Sequence, residues 1–392
     1  MSANLGDRLR EIRKRRGLSQ RELSGLSGVS LSLIRKLEQG ERDATRLETA
    51  RRLAQALKVP TTRLVVEHAE EAADRDEMNR WAPVHTALAA SPSPDGLAEE
   101  PTYDGVRDAL RAAVPLFAGD RFTELGRVLP PLLRDVEVLT EADPRGRRLR
   151  ARLLELTGWL MTQTRQFDAA GTALERAMTD ATDRAQAAAI VITRCWLLLR
   201  RGRLAEARAL ASHWADEVEP RMSRATPAEL STWGWLLLRL SAAAVRDNRP
   251  GEAEDALRLA KSAAVTLGRE CTPENDFLRA FGPVTVDLKR TENAMVAGRP
   301  DQVLSLAAAI PLDTLKPTSN NRNRHLLDVA SAQAQLRQYA EAVDTFQKIL
   351  TGSPQWLPNQ RYARDILGRV VSRRRTLTPE MRMLADVVGL PM

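Results

Sequence analysis

Apolar positions recur at intervals of three and four residues along nearly the whole chain. Leu5, Leu9 and Ile12 begin this pattern, with arginines and lysines between them. No segment shows the convincing alternation of apolar and polar residues that marks a strand. Alanine and leucine dominate the apolar residues and β-branched runs are few, which also favours helix. The sequence therefore predicts an all-α protein.

Residues 1–66 divide into five short helices by their capping residues. The glycines that end helices are Gly17, Gly28 and Gly40, since glycine tolerates the left-handed conformation found there. Two capping boxes pair Ser19 with Glu22 and Thr45 with Glu48. Ser30 is the expected N-cap of the third helix, and a short fifth helix follows Pro60. We call this predicted five-helix domain the head.

Residues 67–101 form the predicted connection to the rest of the chain. The polar, acidic pattern over residues 62–80 predicts a helix. The segment SPSPDGLAEEP, residues 91–101, is rich in proline, serine and glycine, which is typical of a linker.

Residues 102–392, which we call the body, are predicted to repeat as helix pairs. Each pair has a small residue in one helix and another small or apolar residue twelve positions later, where the two helices meet. The pattern begins at Gly158, Cys195, Ser241, Thr291 and Ala330, and successive repeats lie 37 to 50 residues apart. Residues 106–125 are a candidate for an earlier pair, and residues 355–392 for a C-terminal cap. The body resembles a tetratricopeptide-like solenoid with degenerate repeats.

The positive charge of the chain is concentrated in the head. Residues 1–64 hold 15 basic and 7 acidic residues, whereas the remainder holds 44 of each. A compact basic domain joined to a neutral body is typical of binding to a phosphate backbone.

The stretch GLSQRELSGLSGVSLSLIRKLEQGE, residues 17–41, closely resembles the helix-turn-helix of the Cro/C1 (XRE-type) family. Its apolar positions Leu23, Val29, Ile34 and Leu37 match the buried positions of that family. The resemblance implies that the third helix enters the major groove of double-stranded operator DNA. It also implies that the start of the second helix crosses the phosphate backbone.

Helical-wheel geometry identifies the side chains that face the groove once Ile34 and Leu37 are buried. They are Leu31, Ser32, Arg35 and Lys36. Arg35 suits a guanine edge, and Leu31 suits a thymine methyl group. The resemblance assigns phosphate contacts to Gln20 and Ser30, with Arg21 and Arg42 as additions. The alternative for Leu31 and Leu33 is packing against the neighbouring helix.

The tetratricopeptide register also implies a set of residues on the inner face of the body. They are Arg152, Trp159, Trp196, Arg200, Trp235, Arg246, Arg324 and Leu327. The stretch SNNRNRH adds Asn320, Asn321 and Asn323. Tryptophans and arginines suit a peptide with a carboxylate, and asparagines pair with a peptide backbone. The alternative is that the tryptophans pack between helices and the asparagines belong to a capped loop.

Catalytic, metal and membrane signals are missing from the sequence. The four histidines are scattered, and Cys195 and Cys271 are far apart, so we expect no metal or cofactor and reduced thiols. No apolar window of about 18 residues predicts a membrane span. The N-terminus lacks the apolar region of a secretory signal. We therefore expect a cytoplasmic protein that is not an enzyme.

The combination of head and body resembles the peptide-pheromone receptors of Gram-positive bacteria and regulators common in actinobacteria. This resemblance implies a homodimer whose repeats sense a peptide or small molecule and so control DNA binding. The alternative is a regulator whose body docks a partner protein, such as a sigma factor, an antirepressor or a toxin. An enzyme with a DNA-binding head is a third interpretation, but no catalytic group of residues supports it.

Overall fold

The computed structural model describes residues 5–42, 45–65, 75–90, 100–273, 279–312, 319–374 and 376–390. Within these ranges the regular structure is helical, apart from an isolated antiparallel bridge between Cys271 and Phe281. The all-α prediction is therefore confirmed. 

The head packs four α-helices around a small apolar core. They are α1 (Leu5–Arg15), α2 (Gln20–Ser27), α3 (Leu31–Glu38) and α4 (Leu47–Ala56). The predicted fifth helix is a single 3₁₀ turn, Thr61–Arg63. Leu9, Leu23 and Ile34 are fully buried in the core. An ideal Cβ on Gly6 would lie 1.9 Å from the carbonyl oxygen of Leu37, so α1 and α3 touch through their backbones.

The predicted caps of α2 and α3 are confirmed. The Ser19 hydroxyl accepts from the Glu22 amide at 3.2 Å, and the Glu22 carboxylate accepts from the Ser19 amide at 2.7 Å. The Ser30 hydroxyl accepts from the Leu33 amide at 3.3 Å. Gly28 adopts the left-handed conformation at the end of α2.

The predicted capping box of Thr45 and Glu48 is wrong. Helix α4 begins at Leu47, and its N-cap is Arg46, which makes no side-chain cap hydrogen bond. The Arg46 guanidinium pairs instead with Asp365 of the body at 2.7 Å. A contact far along the chain thus accompanies an N-cap one residue later than the local pattern indicates.

The described chain after the head contains fifteen α-helices, of which the first lies in the predicted connection and the other fourteen lie in the body. They are α5 (Arg75–Ala89), α6 (Tyr103–Ala118), α7 (Phe122–Ala142), α8 (Gly146–Gln163), α9 (Phe167–Asp180), α10 (Arg184–Arg200), α11 (Leu204–Glu217), α12 (Pro227–Arg246), α13 (Pro250–Leu267), α14 (Pro283–Val296), α15 (Pro300–Ala308), α16 (Ser319–Gln335), α17 (Tyr339–Gly352), α18 (Arg361–Val371) and α19 (Pro379–Val387).

The predicted linker is only partly within the described residues, because residues 66–74 and 91–99 lie outside them. The described part of the predicted acidic helix begins at Arg75 as α5. Trp81 and Val84 of α5 are fully buried in the same core as Leu129 of α7. This stretch of the predicted linker therefore packs as part of the body.

Six helix pairs share one turn geometry. A residue with left-handed φ lies in each turn, five positions before the buried small or apolar residue at which the second helix meets the first. These residues are Asp120, Arg165, Gly202, Asn248, Gly298 and Arg337. The five predicted pairs and the candidate earlier pair, α6–α7, all have this turn. An ideal Cβ on Gly158 would lie 2.6 Å from Leu174 Cγ, which explains the small residue at the crossing of α8 and α9.

The first and last helices of the body share one apolar core. Phe122 and Leu160, from the first pairs, lie in the same buried cluster as Phe346 and Ile366 from the last helices. The Gln355 side chain also accepts from the amide of Thr123 at 2.9 Å. The pairs therefore curve until their ends meet, and much of the inner face is buried.

Candidate nucleic-acid interface

The exposed side of α3 carries the predicted groove-facing residues. Ser32, Arg35 and Lys36 are exposed and Leu31 is half-buried, whereas Ile34 and Leu37 are fully buried. Leu33 packs against the head core, as the packing alternative for that residue predicts. We call the side formed by Leu31, Ser32, Arg35 and Lys36 the reading face.

The predicted phosphate-binding residues lie around the starts of α2 and α3 and just after α3. Gln20 begins α2, and its Nε2 donates to Glu38 Oε2 at 2.8 Å; the second hydrogen of that amide is available to a phosphate oxygen. Ser30 is the N-cap of α3, while Arg21 and Arg42 are exposed. Helix N-termini favour anions because their free amides and dipole are positive.

A buried ion pair that the sequence analysis missed fixes α1 against α3. Arg13 Nε and Nη2 donate to the two Glu38 oxygens at 2.6 and 2.7 Å, and Nη1 donates to the Leu18 carbonyl at 2.8 Å. Burial alone would raise the pKa of Glu38, but the hydrogen bonds from Arg13 and Gln20 outweigh it, so the pKa lies below its usual value. The charged carboxylate thus holds Gln20 beside the reading face.

Comparison with known proteins identifies this part of the chain. Residues 4–65 match the family model described as a helix-turn-helix domain. The head is therefore similar to helix-turn-helix domains. The uncharacterized HTH-type transcriptional regulator RghRB of Bacillus subtilis (strain 168) is 40% identical over 60 residues, which is 15% of this chain and 43% of that protein. The HTH-type transcriptional repressor RghR of the same organism is 39% identical over 57 residues, 14% of this chain and 42% of its own length. The chain therefore spans less than half the length of these relatives.

The turn between α12 and α13 holds the head against the body. The Thr61 hydroxyl donates to the Arg246 carbonyl at 2.8 Å, and the Thr62 amide donates to Asp247 Oδ1 at 2.9 Å. Asn248 Nδ2 donates to the Val59 carbonyl at 3.1 Å. The Asp247 side chain is fully buried. We call Arg246–Asn248 the docking turn.

Helix α4 completes the contact between head and body. Arg51 is buried, and its Nε donates to the Val245 carbonyl at 3.3 Å. Burial, together with the nearby charge of Arg246, lowers the pKa of Arg51 to about 10. Arg46 adds the ion pair with Asp365. Because the head docks through α4 and the 3₁₀ turn, the polar side chains of the reading face remain exposed.

The three tryptophans predicted to lie on the inner face are buried. The ring centroids of Trp159 and Trp196 are 6.2 Å apart, and Trp235 Nε1 donates to the Ala280 carbonyl at 3.1 Å. Arg324 Cζ lies 5.2 Å from the Trp196 ring centroid, and its Nε donates to Asn320 Oδ1 at 3.1 Å. Trp159, Trp196, Arg324 and Asn320 therefore form one connected group of side chains.

The other predicted inner-face residues have separate surroundings. Arg152 donates to Glu155 at 2.6 Å, and Arg246 donates to Glu292 at 2.6 Å. Arg200 is half-buried at the end of α10. Asn323 is fully buried, and neither atom of its amide has a hydrogen-bond partner within the described residues.

Several charged residues of the inner face were not predicted from the sequence. Arg239 lies over two indoles, with its Cζ 5.1 Å from the Trp235 centroid and 5.7 Å from the Trp196 centroid. Arg279 donates to Glu155 at 2.7 Å, and Lys289 donates to Glu292 at 2.8 Å. Arg239 had one visible signal, because it interrupts the apolar run WGWLLLRLSAAAV four residues after Trp235.

The described ranges contain neither a metal-type cluster of side chains nor a membrane-spanning helix. No group of three or more His, Cys, Asp and Glu side chains is placed there to hold a metal ion. No helix there has both the length and the apolar character needed to span a membrane. Cys195 and Cys271 are free thiols, and burial raises the pKa of Cys195 to about 12.

Proposed function

We propose that this protein is a sequence-specific DNA-binding transcription regulator that acts as a cytoplasmic homodimer. The observation that carries the proposal is a helix-turn-helix domain whose reading face is exposed while its α4 side is docked on the body. Two similar proteins are named as HTH-type transcriptional regulators, one of them a repressor. 

Each reading-face residue has a proposed partner in the major groove. Arg35 donates to a guanine edge, Leu31 contacts a thymine methyl group, and Ser32 and Lys36 contact bases or nearby phosphates. The proposed phosphate contacts are those of Gln20, Arg21, Ser30 and Arg42. Since one head covers about half a site, two heads are needed roughly 34–36 Å apart on one face of the duplex.

The body is proposed to join the two copies and to sense a peptide or small molecule. Its tetratricopeptide-like pairs give it an inner face rich in tryptophan and arginine, which suits such a ligand. The direct hydrogen bonds from the docking turn to Thr61 and Thr62 provide a route from the body to the head.

The test is selection of binding sites from a random duplex pool, followed by fluorescence anisotropy on the enriched site at several salt concentrations. We expect a two-part site bound by two copies, and a steep fall of affinity with salt. Lys36→Ala is expected to reduce the slope of log K against log salt by about 1, whereas the control Lys261→Ala on α13 leaves it unchanged. No enriched sequence, or a slope near zero, would overturn the proposal.

A further inference from the structure

Two arginines of the inner face share one indole ring. Arg239 Cζ lies 5.7 Å and Arg324 Cζ 5.2 Å from the centroid of Trp196. Both arginines are half-buried as whole residues, and Arg239 Nε is buried. Two planar cations beside a tryptophan form a surface rich in hydrogen-bond donors.

Two carboxylates of this region are engaged by other cations, while the buried carboxylate of Asp120 also attracts Arg324. Glu292 accepts from Arg246 and Lys289, and Glu155 accepts from Arg152 and Arg279. Burial, together with the charge of Glu292, raises the pKa of Asp328 above its ordinary value. Burial thus favours the uncharged form of this carboxyl group, which offsets less of the positive charge.

Arg239 and Arg324 form no direct ion pair among the described residues, although the charge of Glu292 acts on both. Arg324 donates to neutral acceptors, Gln163 Oε1 at 3.0 Å and Asn320 Oδ1 at 3.1 Å. Arg239 Nε is buried and has no acceptor within that part of the chain. Burial and the charge of Arg279 together lower the pKa of Arg239 to about 9. Charged donors left without acceptors are costly, and a bound anion would relieve this cost.

A neutral donor without an acceptor lies beside Arg324. Gln163 is fully buried, and its amide oxygen is held by Arg324. Its Nε2 has no hydrogen-bond acceptor among the described residues. The donors near Trp196 thus include two cations and one amide, all of which suit oxygen atoms that carry negative charge.

We propose that Arg239 and Arg324 form an oxyanion-binding site on the inner face, which receives a carboxylate or phosphate group of a ligand against Trp196. The inference deepens the proposed sensing function and rests on it. The ligand class is an organic anion, since the guanidinium forks bind the charged group while the indoles contact its apolar part.

The test is thermal melting and isothermal titration of the full-length protein, without DNA, against sodium phosphate and sodium succinate. Sodium chloride at equal ionic strength is the reference. We expect at least one anion to raise the melting temperature above that reference. Stabilisation by phosphate alone identifies a phosphate ligand, and stabilisation by succinate alone identifies a carboxylate ligand.

Variants separate this site from the basic head. Arg239→Gln and Arg324→Gln are expected to weaken anion binding by about tenfold or more, since each removes a charge-assisted hydrogen bond. The control is Arg258→Gln, at an exposed arginine of α13 whose side chain is 70% accessible, and it leaves binding unchanged. Arg239→Gln also removes a charge that forms no direct ion pair among the described residues, so we expect it to fold.

Two outcomes overturn the inference. One is the absence of any shift beyond chloride, and the other is an equal shift in the wild type and both inner-face variants. Neither outcome concerns DNA, because site selection and its salt dependence are measured separately. Failure of the anion site is therefore distinguishable from failure of the proposed DNA-binding function.

Discussion

The reading face of the head and the inner face of the body both present arginines, but in opposite surroundings. Arg35 is exposed beside Lys36, whereas Arg239 lies between two indoles inside the body. Exposed charges are screened by salt and keep their hydration, so they suit a phosphate backbone. Enclosed charges lose hydration and require a partner. The net charge of a region therefore says less about its function than the surroundings of each charge.

The substitution with the largest expected effect on stability tests how tightly the core of the body is packed. Gly234→Ala places a Cβ 2.0 Å from Phe281 Cζ in the fully buried core. We expect destabilisation by about 3 kcal/mol, because overpacking forces ring or backbone to move. Urea unfolding measures it. Gly251→Ala, where no atom lies within 4 Å of the new Cβ, is the control, and equal stability of the two variants would contradict the close packing.

The next effect concerns a neutral histidine of the inner region. His325 is buried and neither ring nitrogen has a hydrogen-bond partner among the described residues. Burial, with the charge of Lys289, lowers its pKa to about 4. Because the folded pKa is below the unfolded one, this residue contributes stability above about pH 6.5 that is lost as the pH falls toward 4.

His325→Leu tests this pH dependence. In the wild type, lowering the pH from 8 to 5 is expected to remove about 2 kcal/mol of stability through His325. The variant lacks that loss, so its stability relative to the wild type rises as the pH falls. Urea unfolding at both pH values measures the difference, and His213→Leu, at an exposed histidine, is the control. A constant gap between variant and wild type would refute the prediction.

A smaller effect separates base recognition from phosphate binding in the head. Arg35→Ala is expected to reduce the preference for the selected site over a site with one changed guanine by about tenfold. Arg21→Ala is expected to weaken binding to both duplexes equally, because a phosphate contact carries no sequence information. Competition anisotropy with the two duplexes measures both variants. If Arg35→Ala weakens both duplexes alike, Arg35 does not read a base.

The smallest effect is a gain in stability. Gly25 lies within α2, and no atom is within 4 Å of an added Cβ. Gly25→Ala is expected to stabilise α2 by about 1 kcal/mol, because alanine loses less conformational freedom in a helix. Slower hydrogen exchange of the α2 amides measures this gain. Faster exchange would show that a side chain at position 25 is unfavourable, although the structure leaves space for it.

The sequence was most informative where the interacting residues are near one another along the chain. Ser19 and Glu22 are three residues apart, and the small residue Gly158 lies within one helix pair, so pattern alone located both. The failed capping box at Thr45 lies beside Arg46, whose partner Asp365 is near the other end of the chain. The closure of the body and the placement of Arg239 on Trp196 likewise depend on distant segments. No local pattern encodes such contacts.

The docking turn makes the head and the body poor candidates for free exchange between proteins. The Arg246 carbonyl accepts from Thr61, while the Arg246 side chain pairs with Glu292 beside the inner face. A different head grafted onto this body would have to reproduce the hydroxyl of Thr61 and the backbone position of Thr62 to keep the same orientation. Substitutions at one end of this connection are therefore expected to be matched by substitutions at the other end. The chain then evolves as one unit rather than as two modules.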